Sequence, residues 1–473
     1  MPALMVQGCT SWAGKSWLVT ALCRWFADQG VRVAPFKAQN MSNNARVLPG
    51  GGEIGVAQWL QARAAGVTPD VRMNPVLVKP EATGSQVVRL GRFDAQLSAL
   101  EWRQRAAHLW PTARNALDSL LDEYELVVIE GAGSPAEINL ADADITNMRV
   151  AAHARAPVLL VVDIDRGGAF AHLYGTWKLL GDDDRRRVAG FVLNRFRGDA
   201  RLLEPGPSQL EDLTGVPTIG TIPMIDHDLP DEDGAALHRM PARGGLPRVV
   251  VVRYPTASNL DEYTLLEQVA DVRWATEPRH VVDVELLVLP GSKHVAADCV
   301  WLRSTGLDLA IARAAAAGTR ILGICGGLQL LGRELVARSG IDGTAGGLGL
   351  LPVTTTFEPD KRAEPVSTAF AGRLPPAWRS LEGLRITGYE IRHGTSVSDR
   401  APNDDLVEAL QDSLGWARGN VLGVYVHGLL ENAKVLTALF GAGPSRTLEA
   451  TFERLARCVE THVDTCVLRS LVR

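Results

Sequence analysis

Residues Arg320-Ile-Leu-Gly-Ile-Cys325-Gly-Gly-Leu-Gln-Leu-Leu331 read as a buried strand that turns sharply into a helix, with Cys325 at the corner. Gly323, Gly326 and Gly327 surround it, so the turn can be tight and a substrate can approach the backbone closely. A scattered cysteine is ordinarily a small buried apolar residue. Glycines on both sides of a strand-to-helix switch instead make Cys325 a candidate nucleophile. Its candidate base is His427, far downstream at the end of Val421-Leu-Gly-Val-Tyr-Val426. Cysteine nucleophiles and their bases are commonly distant in sequence and adjacent in the fold. His393, in Gly388-Tyr-Glu-Ile-Arg-His393-Gly, is the less well placed alternative, because His427 ends a strand expected to run beside the corner.

The composition sets the frame. At 473 residues, two or three domains are expected. A hydrophobic fraction of 46% with 22% charged residues describes a soluble globular chain. The formal net charge of −5, without a dense basic run, gives no basis for nucleic acid binding. The six cysteines form no CxxC pair, so neither a zinc site nor a disulfide framework is expected, and a reducing cytoplasm suits them. No stretch is long enough to span a bilayer. Nothing in the sequence specifies an oligomeric state.

A second chemical element lies at the N-terminus. Leu4-Met-Val-Gln7 reads as a strand, Gly8-Cys-Thr-Ser-Trp-Ala-Gly14-Lys15-Ser16 as a glycine-bearing loop, and the following residues as an amphipathic helix with Leu18, Leu22, Trp25 and Phe26 on one face. Strand, loop, Lys-Ser and helix in that order suit phosphate binding. Backbone N–H groups between Gly8 and Gly14 hold phosphate oxygens, Lys15 neutralises their charge and Ser16 can ligate Mg²⁺. The next strand, Val31-Arg-Val-Ala-Pro-Phe36, ends in Lys37. Leu126-Val-Val-Ile129-Glu130 is a buried strand with a carboxylate at its C-terminal end, the edge where open α/β sheets bind ligands, so Glu130 is the preferred metal ligand. Glycine-bearing turns follow two further strands, at Asp163-Ile-Asp165-Arg166-Gly-Gly168 and at Asn194-Arg195-Phe-Arg197-Gly198-Asp199. Six or seven such strands predict a doubly wound, mostly parallel α/β sheet. The Asp-, Pro- and Gly-rich stretch around 229–247, including Asp231-Glu232-Asp233, is the expected linker between a domain over 1–228 and a second α/β domain over 248–445. Residues 447–470 read as a closing amphipathic helix.

Several motifs resemble known families. Gly-Ile-Cys325-Gly-Gly-Leu-Gln-Leu-Leu-Gly resembles the nucleophile elbow of class I glutamine amidotransferases, which release ammonia from glutamine through a thioester. By this resemblance, backbone N–H groups near Gly291 (in Leu289-Pro-Gly-Ser-Lys293) and at Gly326 form the oxyanion hole, and His427 is the base. The usual triad has a Glu two residues after that histidine. Here the position is Leu429, as in the corrinoid-modifying amidotransferases, and Glu431 and Glu390 are the acids considered to orient the ring instead. The loop spacing before Lys15 resembles the dethiobiotin synthetase branch of P-loop proteins, which use ATP and Mg²⁺ to phosphorylate a carboxylate or carbamate. That likeness implies Lys37 near the γ-phosphate and Asn194 facing adenine.

Lys37-Ala-Gln-Asn40-Met-Ser-Asn43-Asn44, Gly52-Glu53-Ile-Gly55-Val-Ala-Gln58, Gln61-Ala-Arg63, Met73-Asn74-Pro-Val-Leu-Val-Lys79, Asp163-Ile-Asp-Arg166-Gly-Gly and Gly388-Tyr-Glu-Ile together resemble the cobyric acid synthase family over nearly the whole chain. The resemblance implies a glutamine-hydrolysing carbon–nitrogen ligase of cobalamin biosynthesis. Its small-molecule partners would be ATP, glutamine and a corrinoid, adenosylcobyrinic acid a,c-diamide, four of whose carboxylates are amidated in turn. It places Glu53 as a second acidic Mg²⁺ ligand, and Asn40, Asn43, Asn44, Asn74, Lys79 and Arg166 as substrate contacts. Two other readings are a corrinoid a,c-diamide synthase, against which Phe36 to Asn44 argues, and a P-loop regulatory ATPase with a non-catalytic second domain.

Overall fold

The computed structural model describes residues 2–81, 84–227, 229, 245–338, 342–399 and 405–472. Most of the expected linker over 229–247, with Asp231, Glu232 and Asp233, lies outside them. The chain divides into two compact units: Met1–Leu48 with Gly52–Glu232 and Thr447–Arg473, and Pro49–Gly51 with Asp233–Arg446. No described helix is long and apolar enough to cross a membrane.

The first unit is built on a six-stranded sheet in the order Thr218–Pro223, Val188–Phe196, Val158–Asp163, Ala3–Gly8, Leu126–Glu130, Val33–Phe36. Every neighbouring pair is parallel. Parallel strands are covered on both faces, which explains the unbroken apolar runs of the sequence. Alternate residues feed two cores. Leu4, Val6, Val128 and Val161 pack under the helix Lys15–Asp28, while Met5, Ile129, Leu160 and Val162 pack on the opposite face with Leu117 and Leu120 of the helix Trp102–Glu123. The strand order reverses about Ala3–Gly8, so Gly8, Glu130, Asp163 and Asn194 converge on the C-terminal edge at a topological switch point.

The single C-terminal helix expected over 447–470 is two helices, Leu448–His462 and Thr465–Leu471. Asp464 starts the second by accepting hydrogen bonds from the Cys466 and Val467 amides, an N-cap that halts the first. Phe452, Leu455, Val459 and Leu468 enter the core beneath Lys15–Asp28, so these last residues belong to the first unit. Each such burial contributes roughly 1.5–3 kcal/mol.

The second unit has a seven-stranded sheet in the order Asp271–Ala275, Arg248–Val252, Leu286–Leu289, Arg320–Ile324, Val421–Val424, Gly415–Arg418, Val407–Leu410. The first five strands are parallel and the last two antiparallel. Gly323 lies beside Gly423, and Ile324 beside Val424. The strands ending at Cys325 and shortly before His427 are therefore neighbours in register. A long antiparallel ribbon pairs Val353–Ala369 with Arg385–Ser398.

Candidate active sites

At the edge of the first sheet, Gly8 ends its strand and Gly14, in the left-handed conformation, precedes the helix that begins with Lys15. Lys15 Nζ donates to the carbonyls of Gly133 (3.2 Å) and Thr10 (3.4 Å). Ser16 Oγ donates to Glu130 Oε1 at 2.8 Å, and Lys37 Nζ donates to the same oxygen at 2.9 Å. Glu130 and Lys37 are buried. Lys15, Ser16, Lys37 and Glu130, singled out from separate parts of the sequence, thus form one cluster. Asn194 Nδ2 donates to the Ala13 carbonyl at 2.8 Å and so fixes the loop itself.

Gln58 and Gln61, to which no sequence motif assigns a role, also join this site. Gln61 Nε2 donates to Glu130 Oε2 at 2.5 Å, Gln58 Nε2 to Gln61 Oε1 at 3.5 Å, and Asn40 Nδ2 to Gln58 Oε1 at 3.1 Å. All three amides are buried, and they form a directed relay from the asparagine-rich run to the Glu130 carboxylate. The i, i+3 spacing of Gln58 and Gln61 on the helix Val56–Ala64 was the available signal, since it puts both on one face.

Other predicted contacts sit differently. Glu53, expected beside a metal, forms a buried ion pair with Lys79, itself expected to meet substrate. Asn74 commits its amide to backbone, donating to the carbonyls of Lys37 (3.2 Å) and Val76 (2.9 Å) and accepting from Gly55 N at 3.2 Å. It therefore braces the Lys37 segment. Asn44 is buried and Asn43 half-buried, on the turn after the strand Gln39–Met41. Arg166 pairs with Asp163 (3.1 Å), which also accepts from Arg195 at 3.0 Å. Among the described residues no group of three or more His, Cys, Asp or Glu side chains is arranged to hold a metal.

In the second unit Cys325 takes φ 52° and ψ −105°, a conformation that costs a non-glycine residue about 1–3 kcal/mol. The strain is held by its amide, which donates to the Val424 carbonyl at 2.7 Å. The buried sulfur lies 3.3 Å from the Ile391 carbonyl. A Cβ on Gly326 would stand 2.5 Å from Ser292 N, so only glycine lets the elbow touch the loop after Leu289. Gly291 and Ser292 pair with Ser258 and Ala257 in a short antiparallel ladder. Beneath them the buried Asp298 carboxylate accepts from Ser292 Oγ and Thr256 Oγ1, both at 2.6 Å. Burial pushes the Asp298 carboxyl up, against the lowering effect of those hydrogen bonds.

His427 is buried between two partners. Its Nδ1 lies 3.2 Å from Glu262 Oε1, and Cys325 is close enough to act on its charge. Burial by itself pushes the imidazole down. The negative charges of a Cys325 thiolate and of Glu262 overcome this and hold it up at about 10. The acids considered in the sequence are placed elsewhere. Glu390 pairs with Arg392 at 2.6 Å, and Glu431 lies on the short turn Leu429–Glu431. The carboxylate on His427 Nδ1 comes from 165 residues upstream, a separation at which no local pattern could reveal it. His393, set aside as base, has Nδ1 3.3 Å from the Glu358 carbonyl.

Residues 4–233 match the CobQ/CobB/MinD/ParA nucleotide binding domain, and residues 248–435 match the CobB/CobQ-like glutamine amidotransferase domain. The chain is 55% identical over 476 residues to the cobyric acid synthase of Variovorax paradoxus (strain S110), covering 99% of each chain. It is 57% identical over 478 residues to that of Paracidovorax citrulli (strain AAC00-1), covering 98% of this chain and 97% of the relative. Both compact units and their order are accounted for by such full-length relatives, and the chain belongs to the cobyric acid synthase family.

Proposed function

We propose that this protein is a glutamine-hydrolysing carbon–nitrogen ligase of cobalamin biosynthesis, converting adenosylcobyrinic acid a,c-diamide to adenosylcobyric acid by four successive amidations in the cytoplasm. The observation that carries the reading is the pairing of Cys325 with His427 in a chain that also gathers Lys15, Ser16, Lys37 and Glu130 at a sheet edge. All six cysteines are free, which suits a reducing compartment.

At the cysteine site, His427 takes the thiol proton and Cys325 sulfur attacks the glutamine side-chain carbonyl. The Gly326 and Gly291–Ser292 backbone, pinned through Asp298, supplies N–H groups for the oxyanion. His427 returns the proton to the departing ammonia, and a water that it deprotonates then hydrolyses the thioester to glutamate.

At the sheet edge the donor set fits a magnesium nucleotide. Ser16 hydroxyl and Glu130 carboxylate are hard oxygen ligands, and Mg²⁺ typically takes one or two protein oxygens and fills its other positions with water and phosphate. When bound, Mg²⁺ offsets charge on the phosphate oxygens. Lys15 and Lys37 neutralise the transferring phosphoryl group as a substrate carboxylate accepts it, and ammonia then displaces phosphate to leave the amide. In this reading Glu130 keeps the metal role, whereas Glu53 is held by Lys79. Asn40, at the head of the relay, with Asn43, Asn44 and Arg166, remains a proposed contact to the acceptor.

The test is mass spectrometry of adenosylcobyrinic acid a,c-diamide after incubation with the protein, Mg-ATP and glutamine. The expected result is a ladder of four losses of about 1 Da each, OH replaced by NH₂, with matching ADP release. An unchanged corrinoid with glutamine still hydrolysed would contradict the substrate and leave the amidotransferase.

A further inference from the structure

We propose that Glu262 is the positioning acid of the cysteine site, replacing from a distant turn the residue that is Leu429 two positions after His427. The inference rests on the reading of Cys325 and His427 as the glutaminase pair. Leu429 is fully buried and apolar, so nothing at that position can hold the imidazole. Glu262 lies on the short turn Leu260–Tyr263, is itself fully buried, and commits both oxygens to the histidine segment. Oε1 lies 3.2 Å from His427 Nδ1, and Oε2 accepts the Gly428 amide at 2.8 Å. The second bond fixes the carboxylate relative to the backbone that carries the ring.

The same turn also holds the ring by its face. Asn259, in the left-handed conformation just before the turn, donates to Tyr389 OH at 2.9 Å, and Tyr389 stacks on the imidazole at 5.4 Å and 18°. Backbone bonds run both ways between Tyr389 and His427, at 2.9 and 3.2 Å. A Cβ on Gly388 would strike the His427 carbonyl, so this approach requires glycine there. The ring is therefore gripped at its Nδ1 edge and on one face, which leaves the other nitrogen for the Cys325 proton. A carboxylate buried for packing alone, with no countercharge, is strongly unfavourable. An imidazolium formed when Cys325 gives up its proton is the countercharge. The titratable groups facing His427 are Cys325, Glu262 and the Tyr389 phenol, with Asp261 and Tyr263 on the turn behind.

Glu262→Gln separates positioning from structure, because its amide oxygen can still accept the Gly428 amide. The expected result is a fall in kcat for glutamine hydrolysis of roughly 10²–10⁴-fold with KM for glutamine nearly unchanged. Alkylation of Cys325 by iodoacetamide at neutral pH should also slow, and Glu262→Asp should recover part of both. Circular dichroism and the denaturation midpoint of each variant monitor folding of the second unit. Wild-type kcat and an unshifted pH profile of alkylation in Glu262→Gln would overturn the proposal. So would loss of the folded state in both variants, which leaves Glu262 a structural role only. If Cys325→Ala still hydrolyses glutamine, the reading of the pair itself fails instead.

Discussion

Ser16 Oγ donates to Glu130 at 2.8 Å, so the first hydroxyl of the helix Lys15–Asp28 and the carboxylate at the end of the strand Leu126–Glu130 are already in contact. Lys37 shares the same oxygen at 2.9 Å. Glu130→Gln keeps the size and removes the charge. We expect ATP-driven amidation to fall roughly 10²–10³-fold, as when a transition-state charge loses a preorganised partner. Glutamine hydrolysis, measured separately as glutamate release, should persist. Unchanged amidation would remove Glu130 from the metal site.

Gln61 joins the relay to Glu130. Gln61→Leu leaves Glu130 Oε2 without that donor and Gln58 Nε2 without that acceptor, both buried. An unsatisfied buried group costs about 1–3 kcal/mol. We expect a lower thermal midpoint for the first unit and a higher KM for Mg-ATP. An isothermal, isokinetic variant would show that the relay orients nothing.

The pH dependence of the second unit follows from His427. Its proton is held to about 10, against an ordinary 6.5, so the folded state binds it more tightly than the unfolded chain does. The resulting stability is complete below about 6.5 and is lost as pH rises through about 10. Denaturant midpoints measured across that window should decline, and His427→Gln should flatten the decline. An equal slope in both proteins would contradict the assignment.

The last two helices carry core rather than chemistry. Leu455 is fully buried beneath Lys15–Asp28, and Leu455→Ala should cost about 2–5 kcal/mol through the cavity it leaves. Calorimetry should show the loss, and Mg-ATP should restore part of it by binding only the folded unit.

What the sequence disclosed follows the range of the interactions. The strands ending in Gly8, Glu130 and Ile324 are readable because each is a largely apolar run that ends in a polar or glycine-bearing turn. Cys325 and His427 stood out through their glycines and strand ends. Glu262 did not, because its place is set by the fold of a short turn rather than by spacing from His427. Glu53 and Lys79 each looked like a free functional charge, and only the packed structure shows that they neutralise one another. The C-terminal helix was legible as amphipathic, but its apolar stripe could not say which core it joins.

The most direct test of the two-site account is Cys325→Ala assayed for corrinoid amidation with glutamine and, in parallel, with an ammonium salt. The account predicts loss of the glutamine-driven reaction and retention of the ammonia-driven one. Glutamine-driven amidation at the wild-type rate, or loss of both reactions in a folded variant, would contradict it.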